Sequence, residues 1–89
     1  MNIGKETLDS ITEISKEYGA TQIILFGSAL ENPAEAKDID LACDGVTGWK
    51  LFELAAHLEN TFHINFDLIP ITPSSRFTRH IETYGKRLI

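Results

Sequence analysis

The chain has 89 residues with a hydrophobic fraction of 43%, which is room for one domain (1–89) around a single core. Its net charge of −5 weighs against strong nucleic-acid binding, which relies on Lys and Arg to neutralise phosphates. No apolar run approaches a membrane span, MNIGKETLDS lacks a signal-peptide pattern, and the single Cys43 has no internal disulfide partner, so a cytoplasmic protein without membrane association is expected.

In chain order, KETLDSITEISKEY (5–18) places Leu8, Ile11, Ile14 and Tyr18 at helical spacing, and Gly19 is a natural stop. TQIILF is short, β-branched and almost wholly apolar, the pattern of a strand buried on both faces, and it ends at Gly27-Ser28. ALENPAEAK is polar and holds Pro33, so a loop with at most one helical turn is expected. DIDLAC alternates and reads as a second strand, with Cys43 as a buried, inert thiol. After the turn signal Asp44-Gly45, Thr47 is the expected N-cap of a helix from about Gly48 to Asn60, with Leu51, Leu54, Ala55 and Leu58 as its apolar stripe. HINFDLIPI reads as a third strand closed by Pro70 and Pro73. Ser74 or Ser75 then caps a last helix, RFTRHIETY, that Gly85 terminates. The expected order is α-β-β-α-β-α, an α+β layer fold with a small mixed sheet.

Two strands carry acids where a core residue is expected. Because side chains alternate along a strand, Asp38 and Asp40 share a face while Ile39 and Leu41 share the other. Two carboxylates so close raise each other's pKa unless a positive charge lies between them, and a hard divalent cation such as Mg²⁺ is the economical one. Asp67 interrupts the third strand in the same way, and a suitable register would bring it to Asp38 and Asp40. Three acids on adjacent strands would suffice for two cations and an in-line displacement at phosphorus. Gly27 would allow close backbone approach to a ligand, with Ser28 and the next amides as donors to phosphate oxygens.

Gly27-Ser28, nine intervening residues and the Asp38-Ile39-Asp40 strand opening resemble the signature of the DNA polymerase beta-like nucleotidyltransferase superfamily. With the closing RHIETYGKRLI, the chain is similar to the minimal nucleotidyltransferases (MNT type) that act as antitoxin partners of HEPN toxins. The resemblance implies that Gly27 and Ser28 bind the triphosphate of a nucleotide. It implies that Asp38 and Asp40 hold two Mg²⁺ ions and that Asp67 binds the catalytic metal beside the attacking hydroxyl. The reaction it implies is transfer of a nucleoside monophosphate, AMP from ATP, to a hydroxyl such as a tyrosine of a helical HEPN-type partner, with which the chain would form an oligomer.

The chain departs from the family at Ala29, where many relatives carry Arg, and in a loop with Glu31 and Glu35 against the single base Lys37. The alternative is therefore a catalytically weak or inactive interaction module of the same fold that works by binding its partner. Among the remaining residues, His57 reads as a surface or partly buried helix residue, and neither it nor His63 is assigned a role. Trp49 reads as packing at a helix start or as part of a partner surface. Tyr84 reads as packing at a helix C-terminus. Arg76 and Arg79, one helical turn apart, read as a solvated face or as phosphate contacts.

Overall fold

In the computed structural model, which describes residues 3–89, the first apolar stripe folds as helix α1, Lys5–Glu17. Ile11 is fully buried there, and Leu8 and Ile14 pack beside it. The IILF run forms strand β1, Gln22–Phe26, whose three central residues are buried. A single-turn helix α2, Ser28–Glu31, and a 3-10 turn at Pro33–Glu35 follow before strand β2, Asp38–Asp44. Helix α3, Trp49–Phe62, leads to β3, Asn65–Pro70; helix α4, Arg76–Tyr84, and the two-residue strand β4, Lys86–Arg87, complete the order.

The sheet has the order β3-β2-β1-β4. β1 is antiparallel to β2 and to β4, whereas β3 is parallel to β2, the relation that the α3 crossover between them allows. Alternation gives the two faces different work. Ile23, Leu25, Ile39, Leu41, Cys43 and Phe66 join the main core with Ile11 of α1 and with Leu54 and Leu58 of α3. On the opposite face Ile24, Ala42, Ile71 and Ile81 of α4 form a second, smaller cluster. Burial pushes the Cys43 thiol up to about 11, with Asp44 adding to the rise, so the expectation of an inert, buried cysteine holds.

Helix α4 begins as the sequence predicts, at Ser75. The Ser75 hydroxyl accepts from the Thr78 amide at 3.1 Å, and the Ser75 amide donates to the Thr78 hydroxyl at 2.8 Å. This reciprocal pair satisfies two otherwise unpaired helix-end donors. At the start of α3 the expected cap is wrong. The N-cap is Gly48, not Thr47, with φ 60° and ψ −135°, a backbone region that glycine alone occupies without strain, and no side chain caps the end. The helix also runs two residues past the expected Asn60, to Phe62.

Two packing expectations fail with it. Trp49 is 82% exposed and its ring meets that of Phe52, itself exposed, at 6.0 Å, so it does not pack the helix start. Tyr84, 71% exposed, leans on His80 instead of packing the end of α4. His57 is half-buried, as expected, and its Nδ1 lies 3.0 Å from the Tyr18 hydroxyl. The expected strand order lacked β4, which exists through pairing with Ile24 and Leu25 of β1. No helix among the described residues is long and apolar enough to cross a membrane.

Candidate functional site

The face that α4 covers only in part holds the acids. The parallel register sets Asp40 directly opposite Asp67, and the antiparallel register sets Phe26 on the other side of Asp40. Asp38 lies two residues back along β2, on the same side of the sheet. The three acids singled out by sequence therefore meet on one face, in the register that the sequence required. Asp38 and Asp40 are half-buried and Asp67 is exposed, which leaves the cluster open to a ligand.

Their proximity shows in the chemistry of Asp40. Its pKa lies above the ordinary carboxylate value, first because burial penalises its charged form, then because the charges of Asp67 and Asp38 oppose ionisation. A hydrogen bond between the Asp40 and Asp67 side chains pushes in the same direction. A cation between these oxygens would reverse the charge repulsion, so the donor set suits a hard divalent ion. The set is not a closed cage: among the described residues no group of three or more His, Cys, Asp or Glu is drawn together tightly enough to hold a metal unaided. Mg²⁺ does not require one, since it keeps several waters and takes one or two carboxylates with substrate phosphates.

Gly27 connects this cluster to the turn after β1. It adopts φ 74° and ψ −154°, a region essentially closed to residues with a Cβ. A Cβ there would also run into a carboxylate oxygen of Asp40. Glycine is thus required twice over, by the turn and by the acid packed against it. Ser28, exposed, opens α2 immediately beyond. Ala29 is only 2% exposed and belongs to the main core, so its side chain points away from this surface.

Sequence reading missed one feature of the face. A cleft of about 210 Å³ lies between α2 and α4, lined by Phe26, Gly27, Glu31, Phe77, His80 and Tyr84 among others. Its α4 residues recur at Phe77, His80, Ile81 and Tyr84, a helical stripe that the sequence does display. Only Ile81 of that stripe is buried; Phe77 is 55% exposed. Arg76 and Arg79 are both exposed on α4, in keeping with a solvated face.

No protein-family model matches the chain, and no curated protein matches it in sequence. Solved structures do. The chain is similar to a toxin–antitoxin crystal structure with AMP-PNP, at 25% identity and TM-score 0.76 over 92% of this chain and 72% of that one. It also superposes on the MntA–HepT toxin–antitoxin at 23% identity and TM-score 0.73, over 97% of this chain and 72% of that chain. A third likeness, at 23% identity and TM-score 0.73 over 96% of this chain and 71% of that chain, is to a complex of tri-AMPylated HEPN toxin and MNT antitoxin from Shewanella oneidensis. The expected α+β fold, with its mixed sheet and helices, is that of minimal nucleotidyltransferases, and the resemblance stated from sequence agrees with its structural neighbours.

Proposed function

We propose that the chain is a single-domain, Mg²⁺-dependent nucleotidyltransferase that moves AMP from ATP to a hydroxyl of a HEPN-type partner, a tyrosine being the expected acceptor. In this role it is a cytoplasmic antitoxin, and the partner supplies the acceptor hydroxyl. The observation that carries the proposal is the placement of Asp40, in register with Asp67 on one side and against Gly27 on the other. One residue thus joins the carboxylate cluster to the Gly27 turn. The structural neighbours that contain an ATP analogue and an AMPylated toxin support the same chemistry.

In the proposed reaction the acceptor hydroxyl attacks the α-phosphorus, the bond to the bridging oxygen breaks, and pyrophosphate leaves while the hydroxyl proton passes to solvent. Asp38, Asp40 and Asp67 would hold the metal together with phosphate oxygens and water, and Asp67, the most exposed of the three, would be the ligand most open to an incoming hydroxyl. Bound there, Mg²⁺ would supply positive charge to the oxygens that become more negative in the transition state. Gly27, through the turn its positive φ makes, would present the backbone amides that follow it to the phosphates, and Ser28 would donate to a phosphate oxygen. Incubation with α-labelled ATP, Mg²⁺ and the HEPN partner should label the partner, and Asp40→Asn should abolish labelling without unfolding the chain. Absence of label with all four nucleotides, while nucleotide still binds, contradicts the catalytic claim.

The loop after Ser28, with the exposed acids Glu31 and Glu35 beside the proposed phosphate site, favours one second reading, a catalytically weak or inactive module that has kept the fold and binds its partner. Calorimetry separates the two: tight partner binding with no uptake of Mg²⁺ and ATP selects this module.

A further inference from the structure

The cleft between α2 and α4 touches the proposed site without sharing its chemistry. Gly27 lines it and also packs against Asp40, and Phe26, another wall, pairs in register with Asp40. The cleft and the carboxylates are therefore neighbours on one sheet face, since Phe26 and Asp40 stand opposite each other on adjacent strands. Their linings differ sharply. The cluster is anionic, whereas the cleft is walled by rings: Phe26 and Phe77 meet edge to face at 5.8 Å, and His80 and Tyr84 lie 4.7 Å apart.

The fold does not explain those rings. Phe77 and Tyr84 are 55% and 71% exposed, although α4 already buries Ile81 and Thr78 against the sheet. Two large aromatic side chains left open beside a polar site are suited to a flat, apolar ligand group. In a nucleoside triphosphate the phosphates and ribose are polar, and the base alone offers such faces. A nucleotide whose phosphates lie over Gly27 towards Asp40 has its base free to turn into this cleft.

We infer that the cleft is the base-binding subsite of the proposed nucleotide site, with Phe77 and Tyr84 as stacking surfaces. This inference rests on the nucleotidyltransferase reading. It also gives Glu31 a place. A carboxylate beside a triphosphate would oppose binding, but Glu31 stands in the cleft wall, where it accepts from an N–H on the edge of a base. Bases with an exocyclic amine present more such donors than uracil, so UTP binds most weakly of the four nucleotides.

Titration of the whole chain with ATP and, separately, with inorganic tripolyphosphate, both in Mg²⁺ and followed by NMR, tests the inference. ATP should bind at least about tenfold tighter than tripolyphosphate, and should alone shift the ring signals of Phe77, His80 and Tyr84. Phe77→Ala and Tyr84→Ala should each weaken ATP about tenfold to a hundredfold and leave tripolyphosphate unchanged, while Tyr84→Phe keeps wild-type affinity. Equal binding of the two ligands by wild type, with the ring signals unmoved, overturns the base subsite and leaves the phosphate-and-metal site standing. Failure of wild type to bind either ligand overturns both.

Discussion

The two faces of one sheet divide stability from chemistry. The face under α1 and α3 is closed: its apolar side chains interlock from Ile11 to Leu58. The face under α4 is closed only at one end, where Ile24, Ala42, Ile71 and Ile81 meet, and its other end is given to Asp38, Asp40 and Asp67. The same β2 strand serves both, with Ile39 and Leu41 on one side and the acids on the other. Burial that those acids forgo on the open face has to come from the closed one. Substitutions should therefore separate into changes of stability and changes of function, according to which face they touch.

The largest effect belongs to the closed face. Leu54→Ala removes a fully buried side chain and should cost about 2–5 kcal/mol in denaturant unfolding. Ile81→Ala, in the smaller cluster with an open edge, should lie at the low end of that range, because its surroundings collapse more readily. Equal losses would show that the two clusters are not energetically distinct. Gly27→Ala comes next. It meets both a backbone conformation that disfavours Cβ and the Asp40 carboxylate, so it should destabilise by about 1–2 kcal/mol and also displace Asp40. If nucleotide affinity survives Gly27→Ala, the turn and the acid are not one unit.

Ser75→Ala tests the edge of the open face. Loss of the reciprocal cap should cost about 0.5–2 kcal/mol in unfolding while leaving nucleotide binding within twofold or so, since Ser75 does not line the cleft. The smallest effect is at Asp40 itself, and its sign is unusual for an acid. Because its folded pKa is raised, its contribution to stability is present at pH below the unfolded value and is lost as pH rises through the folded value. Without metal, Asp40→Asn should therefore stabilise the chain at neutral pH, by less than about 1 kcal/mol once solvent screening is allowed for, and the gain should vanish under acid conditions. Mg²⁺ with nucleotide should cancel the advantage by favouring the ionised wild-type acid. A destabilised Asp40→Asn at neutral pH would remove charge crowding as a property of this face.

Much of this division was legible in the sequence. Alternation in DIDLAC put two acids on one side and two aliphatics on the other, and an acid inside NFDLIP marked the neighbouring strand. Ser75 and Gly85 bounded α4 because a hydroxyl cap and a glycine stop act locally. What escaped depends on distant pairing or on backbone geometry. β4 is two charged residues that become a strand only by bonding to β1. Thr47 had the right side chain for a cap, yet the positive φ of Gly48 sets the helix start. Tyr84 read as packing, and Trp49 as packing or as part of a partner surface; only the assembled surface shows both exposed. The aromatic cleft needed α2 and α4 to be placed beside each other, although the stripe from Phe77 to Tyr84 was visible.

The most direct measurement of the central claim uses Mn²⁺ in place of Mg²⁺, with ATP, and records paramagnetic broadening of backbone amides. Broadening should centre on Gly27, Ser28, residues 38–40 and Asp67, and spare the amides of α1 and α3. Broadening that is absent, or that follows the exposed acids of α1 instead, would contradict a metal–nucleotide site on the open face.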